Sequence, residues 1–439
     1  MNPTTHPLTL PRRTLLVAAL LAGLPTVGLP LAARASAVTD WSLIATNTPA
    51  GAPPQRSRIE TMANLAIHDA LNTIDPRYER YGTVPAAKPG ASPDAAIATA
   101  AYRVLSDAIP AQAAALKTQY DNYIAALPGC APAFPNCIAD GAEVGANAAQ
   151  AILTLRLNDG SATPDLPYAA PLLPGVYQPT PGPAPRFEGW ALVRPFAMRS
   201  ADQFRAGDSA VMHLDSDTYA RDYNEVKSIG DALVRGAAPD SAQSNIARFW
   251  AGGGADWSTV VRNILAGLGL DRWQEARLFA LVSASVADAG VSVFETKYYY
   301  RFWRPITAIR WTQGDGNPAT TANPDWTPFL ATPPYPDYVC GLPIATGAAT
   351  EVMRRYFGTD AVGWTMTANA GAVAMPNGLP ALPAKSITRT YTSLSGAASE
   401  AADARVYAGI HFRTGCKQGL TQGRQVGRFV IQHALKPLK

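Results

Sequence analysis

Three short segments hold residues whose types and spacing suit the capture of an oxyanion. In Lys297-Tyr-Tyr-Tyr-Arg-Phe-Trp-Arg304-Pro305, an ammonium and a guanidinium stand seven residues apart, nearly on one side of a helix. A lysine point charge beside an arginine fork fits a tetrahedral or trigonal oxyanion. Pro305 disfavours helical geometry at Arg304, which places that side chain at a helix end, reaching into a pocket. The second segment, Pro333-Pro-Tyr-Pro-Asp-Tyr-Val-Cys340-Gly341-Leu342-Pro343, runs into an apolar stretch beginning at Ile344. A Pro/Gly turn that opens a helix aims backbone N–H groups outward, a ready anion site. The third is Arg405-Val-Tyr-Ala-Gly-Ile-His411. A continuous helix would hold Arg405 and His411 far apart around its axis, and Gly409 offers a break that lets both reach one site. His411 then reads as a ligand or nucleophile toward the anion.

The elements that must position these residues read as helices separated by Pro/Gly loops. Apolar residues recur at helical period over 57–74, with Ile59, Met62, Leu65, Ala66, Ala70 and Ile74 near one face. The Ala-rich stretch 94–127 predicts two helices, the second opened by Pro110. Further helices are expected at 138–156, 217–236, 241–252, 257–268, 273–302, 344–357 and 417–434. Residues 158–196 and 314–343 are rich in Pro and Gly without periodicity, and the first reads as a long surface excursion. Alternating strand patterns are nearly absent, so the expected class is all-α. An N-terminal helical half, 38–235, and a C-terminal half, 236–439, carrying all three segments, follow from this layout.

Composition narrows the partners. With 37 Lys and Arg against 33 Asp and Glu over 439 residues, no basic block supports nucleic-acid binding. His6, His68, His213, His411 and His433 are too scattered for a zinc cluster, and no HExxH or CxxC pattern occurs. His68, His213 and His433 read as ordinary packed or surface residues. Arg12 and Arg13 precede an apolar run, Thr14 to Leu31, followed by A-x-A spacings at 33–37. That is the layout of a secretory signal over 1–37, with a paired arginine compatible with the twin-arginine route. The expectation is an exported protein, periplasmic or secreted, with no membrane span in the mature chain. In an oxidising space, Cys130 and Cys137, which bracket CAPAFPNC, are expected to pair. Cys340 and Cys416 come together if the second and third segments converge; whether they bond stays open.

K-x6-RP, then a P-S-G-H-type turn, then R-x5-H together resemble the signature of the vanadium-dependent haloperoxidase and type 2 phosphatidic acid phosphatase superfamily. Asp75-Pro-Arg-Tyr, Gly175-Val-Tyr-Gln-Pro-Thr-Pro, Arg194-Pro-Phe-Ala and Asp222-Tyr-Asn-Glu-Val-Lys are similar to bacterial vanadium haloperoxidase homologues. The resemblance implies the helical-bundle fold of that superfamily and a site for vanadate, which phosphate can also occupy. It assigns Lys297, Arg304 and Arg405 to the equatorial oxygens, with Cys340 and the Gly341 amide as further donors. His411 becomes the axial metal ligand, and the reaction it implies is oxidation of a halide, or of a small organic substrate, by hydrogen peroxide. A homo-oligomer is compatible with it.

Two departures qualify that expectation. The family's serine is Cys340, a weaker donor, and its acid–base histidine is Leu342, which moves no proton. General acid–base help is worth about 10²–10⁴-fold, so the family chemistry is expected to be weakened or redirected. The phosphatase pattern also expects an acid four residues after the axial histidine, where Gly415 stands. The alternatives are a phosphatase, a non-redox rearrangement enzyme, or a degenerate oxyanion-binding protein.

Overall fold

Side-chain caps mark many of the helix starts. The structure, a computed structural model, describes residues 36–438. The expected signal segment lies outside those residues, apart from Ser36 and Ala37, which cap and open the first helix. In the first part of the chain run α1 (Ala37–Asn47), α2 (Pro53–Ile74), α3 (Pro93–Ala108), α4 (Ala113–Ala125) and α5 (Cys137–Arg156). The middle holds α6 (Asp217–Ile229), α7 (Ala232–Ala237), α8 (Ala242–Ala251) and α9 (Trp257–Leu265). Then come α10 (Arg272–Tyr300), α11 (Pro305–Arg310) and α12 (Gly341–Phe357). A hairpin of β1 (Trp364–Ala370) and β2 (Lys385–Tyr391) precedes α13 (Leu394–Tyr407) and α14 (Arg413–His433). Ser36, Ser92, Ser216, Asp231, Ser241, Asp256, Asp271 and Ser393 each accept a first-turn amide that would otherwise lack a partner.

The mainly helical architecture is as the sequence implies, with local differences. Pro110 opens a single 3₁₀ turn, Pro110–Gln112, ahead of α4. Gly230 splits the helix expected over 217–236 into α6 and α7. The antiparallel hairpin pairs Trp364 with Tyr391 through Ala370 with Lys385. Along β1, Trp364, Met366, Ala368 and Ala370 face inward while the residues between them face solvent.

α10 is the central element, packing on α2, α12 and α14. By length and composition it could cross a membrane, yet 78% of its apolar window is buried inside the protein. Its Asp288 anchors the long excursion, accepting the backbone amides of Phe196, Ala197 and Met198 at 2.5, 2.9 and 2.9 Å. Burial pushes that carboxyl up to about 6 even against these three bonds. The excursion then runs over the segment that carries the cations. Tyr177 N–H donates to Arg301 O at 2.7 Å, and Trp303 N–H to Gly175 O at 3.0 Å.

The closest helix pair is α12 and α14. Gly415, Gly419, Gly423 and Gly427 recur every four residues and form one stripe on α14. A Cβ on Gly423 would lie 2.1 Å from Ile344 O, and one on Gly427 2.4 Å from Ala348 O. The two helices therefore touch backbone to backbone. That contact brings the N-terminus of α12 against the first turn of α14, with Cys340 N–H donating to Gly415 O at 3.2 Å.

Cys130 and Cys137 are joined by a disulfide at the start of α5. Cys340 and Cys416 are free and buried.

Candidate functional site

The three segments meet at the end of α10, the N-terminus of α12 and the α13–α14 junction. Lys297 sits in the last turn of α10, but the helix stops at Tyr300 because Arg301 turns left-handed, with φ 50°. Arg304 is the extended residue ahead of Pro305 at the start of α11. The expectation of one helical side for Lys297 and Arg304 is thus corrected: a turn, rather than a helix period, brings them together. α13 ends at Tyr407, and Gly409 adopts φ 77°. A Cβ there would lie 2.3 Å from Gly230 O, so glycine is required on both counts. Arg405 and His411 flank that break.

Lys297 and Arg304 are fully buried, and His411 and Asp337 are each 1% exposed. Lys297 Nζ donates to the carbonyls of Pro336 and Asp337 at 2.8 and 2.7 Å. Arg304 Nε donates to Tyr335 O at 2.7 Å and Nη1 to Ile410 O at 2.8 Å. Its Nη1 also lies 3.0 Å from His411 Nε2. Two donors remain without partners, Arg304 Nη2 and Arg405 Nε, both buried. A buried cationic N–H without an acceptor is costly; Arg235, Arg248 and Arg389 each keep one elsewhere, but here two come together around one histidine, which suits an anion.

Asp337 was not singled out in the sequence. Its Oδ1 lies 2.7 Å from His411 Nδ1 and 3.7 Å from Arg304 Nη1. Neither carboxylate oxygen has a partner with well-formed hydrogen-bond geometry. Burial pushes the carboxyl up to about 7. The Arg304 and Lys297 charges, and then the Phe412 backbone, favour its ionised form. Burial and then the Arg304 charge lower Lys297 to about 7. His411 is held well below the usual imidazole range by burial, then by Arg304, Lys297 and Arg405. A neutral His411 keeps a lone pair for a ligand bond.

Gly341 is the first residue of α12, so its N–H has no acceptor within the helix. A Cβ at Gly341 would meet nothing within 4 Å, so space lies open beside it. Leu342 is half-buried in the same turn, and Cys340 is buried as the helix N-cap. The other histidines lie apart from this cluster in role. His213 pairs with Asp208 at the surface, His68 is buried beside Asp69, and His433 stacks on Phe429.

Residues 277–439 match the family described as VCPO second helical-bundle domain. Every residue of the cluster falls inside that stretch. Among curated proteins, the vanadium chloroperoxidase of Curvularia inaequalis is 36% identical over 93 residues, 19% of this chain. The match spans 14% of that relative's own length. A solved bacterial vanadium-dependent iodoperoxidase superposes with a TM-score of 0.73 at 25% identity, covering 92% of this chain and 97% of that one. The stretch that carries the cluster thus matches the second helical-bundle domain of that family, and the described chain shares the fold of a solved vanadium haloperoxidase. An apo-type bacterial vanadium-dependent chloroperoxidase shares the fold, with a TM-score of 0.70 at 17% identity over 89% of this chain and 96% of that one.

The residues present fit the group these relatives are named for. Three cations surround His411, two of them acting on Asp337 as well, two buried donors lack acceptors, and open space lies at a helix N-terminus. Together these suit a small, multiply charged oxyanion.

Proposed function

We propose that this chain is an exported, vanadate-binding haloperoxidase whose halide oxidation is weakened or redirected at Leu342. The observation that carries the reading is the pair of unpartnered buried donors, Arg304 Nη2 and Arg405 Nε, around a neutral His411. Lys297, Arg304 and Arg405 would balance the charge of the oxyanion, and the Gly341 amide would add a neutral donor. His411 would be the protein ligand through a ring nitrogen. Bound vanadate would supply a Lewis acid that activates hydrogen peroxide toward a halide.

The chain's own residues then define what is missing. Leu342 neither gives nor takes a proton, so protons must come from water. Cys340 donates more weakly than a hydroxyl would. Export is supported by the N-terminal arginines, apolar run and A-x-A spacings, and fits the Cys130–Cys137 disulfide. The C-terminal half, 236–439, is proposed as the half that binds vanadate, with 38–235 covering it.

Calorimetry with vanadate and with orthophosphate, on the parent and on His411→Ala, tests the reading. His411→Ala should weaken vanadate much more than phosphate, because only the ligand bond distinguishes them. Equal losses, or none, would remove His411 from its role. Leu342 favours a second reading, an oxyanion-binding protein without turnover. Peroxide-dependent bromination of a dye by the vanadate-loaded protein separates the two.

A further inference from the structure

Two thiols lie in contact beside the cationic cluster, and nothing above uses Cys416. Cys340 caps α12 and Cys416 sits in the first turn of α14; both are free and fully buried. The backbone fixes their approach. Cys340 N–H is bonded to Gly415 O, and a Cβ on Gly419 would lie 2.7 Å from Cys340 O. The nearby Cys340 thiol raises the Cys416 thiol further, after burial. The Lys297 ammonium lies within electrostatic reach of both sulfurs.

We propose that Cys340 and Cys416 form an oxidisable pair, which hydrogen peroxide converts to a disulfide that withdraws Cys340 from the anion site. Cys340, the thiol that caps α12 next to Gly341, makes the first attack, and Cys416 in the first turn of α14 resolves it. The Cys340 sulfur, as thiolate, attacks one peroxide oxygen, and the O–O bond breaks. The second oxygen leaves as hydroxide and, taking up the proton that Cys340 released, becomes water, while Cys340 becomes a sulfenic acid. The Cys416 sulfur then attacks the Cys340 sulfur, the S–O bond breaks, and the departing hydroxide takes the Cys416 proton. Two thiols lose two electrons, one peroxide gains them, and two waters form. Lys297 stabilises the sulfur anion that each attack requires.

The consequence for the site follows from position. Cys340 immediately precedes Gly341, and its S–H is consumed in the bond. The inference rests on the reading that peroxide reaches this site, and does not require vanadate.

The full chain, reduced and free of vanadate, is titrated with hydrogen peroxide, alkylated under denaturing conditions and mapped without reduction. A Cys340–Cys416 cross-linked peptide is expected, in addition to Cys130–Cys137. Orthophosphate affinity should fall about tenfold in the oxidised protein, the scale of one hydrogen bond to a charged group. A thiol reductant should restore it, and Cys416→Ser should still bind phosphate but give no cross-link, its Cys340 sulfenic acid being trapped by dimedone instead. Two thiols still open to alkylation at excess peroxide would overturn the proposal, as would a cross-link that leaves phosphate affinity unchanged. Reduced protein that fails to bind phosphate would instead overturn the anion-site reading, while the peptide mass still decides the cross-link.

Discussion

Asp337 Oδ1 stands 2.7 Å from His411 Nδ1, so the anion site already contains one negative charge of its own. That carboxylate offsets one of three cations in a region almost closed to water. Removing one partner from a buried charge cluster costs about 3–5 kcal/mol, because the remaining charges lose compensation. At pH 8 and above, where Asp337 carries its charge, Asp337→Asn should therefore destabilise the anion-free protein by about 3 kcal/mol. Added orthophosphate should recover more stability in the variant than in the parent. Thermal denaturation with and without phosphate reads both effects, and equal phosphate shifts would place Asp337 outside the site.

The same burial sets a pH dependence. Asp337 and Glu60 are pushed up to about 7, and Asp288 to about 6, in each case mainly by burial. Each folded value exceeds the unfolded one. Their contribution to stability is complete below about pH 4 and is lost as pH rises through 6 to 7. His411 is shifted the other way, so its contribution is present above about pH 6.5 and lost as pH falls. Lys297, lowered to about 7, is protonated in both states below that pH and adds little slope there. Three carboxyls outweigh one imidazole. In phosphate-free buffer, lowering the pH from about 6.5 to about 5 should raise the unfolding midpoint. Glu60→Gln should flatten the slope; a midpoint that falls across this window would show the carboxyls ionised and well satisfied.

The glycine stripe of α14 gives a prediction of a different kind. Gly423→Ala puts a Cβ where Ile344 O now sits, so α12 and α14 must part. Overpacking of this sort costs about 1–3 kcal/mol. Because the same contact seats the N-terminus of α12 against the first turn of α14, anion affinity should fall as well. Gly341→Ala meets open space, and its stability should change by less than about 0.5 kcal/mol. Comparing urea midpoints of the two variants checks this, and a neutral Gly423→Ala would mean that the helices are not in backbone contact.

What the sequence made legible divides along physical lines. Lys297, Arg304, Arg405 and His411 stand out because their types and spacing suit an oxyanion, and Gly409 because only a break reconciles its neighbours. Asp337 was invisible, since a carboxylate in a Pro-rich turn looks solvated until that turn folds onto His411. α13 was missed because LSGAASEAADARVY is alanine on nearly every face, leaving no apolar period to read. The hairpin escaped for a related reason: Ala368 and Ala370 are inward residues too small to mark alternation. The stripe from Gly415 to Gly427 was in plain view, but glycine every four residues counts against a helix on propensity alone. Backbone packing against α12 outweighs that penalty.

Leu342 and Cys340 carry the sharpest test of the chemistry. Leu342 stands one residue past Gly341, half-buried at the edge of the cluster, where an imidazole could reach the same space. An apolar side chain there leaves proton transfer to water, and positioned acid–base help is worth about 10²–10⁴-fold. Leu342→His combined with Cys340→Ser replaces the missing proton carrier, strengthens the donor and removes the oxidisable thiol pair. Peroxide-dependent bromination at matched vanadate occupancy should rise at least about tenfold, allowing for an imidazole less well oriented than an evolved one. Leu342→His alone separates the proton relay from the stronger donor and from protection against peroxide. If the double variant binds vanadate yet brominates no faster, proton transfer is not what limits the parent, and the pocket serves a reaction other than halide oxidation.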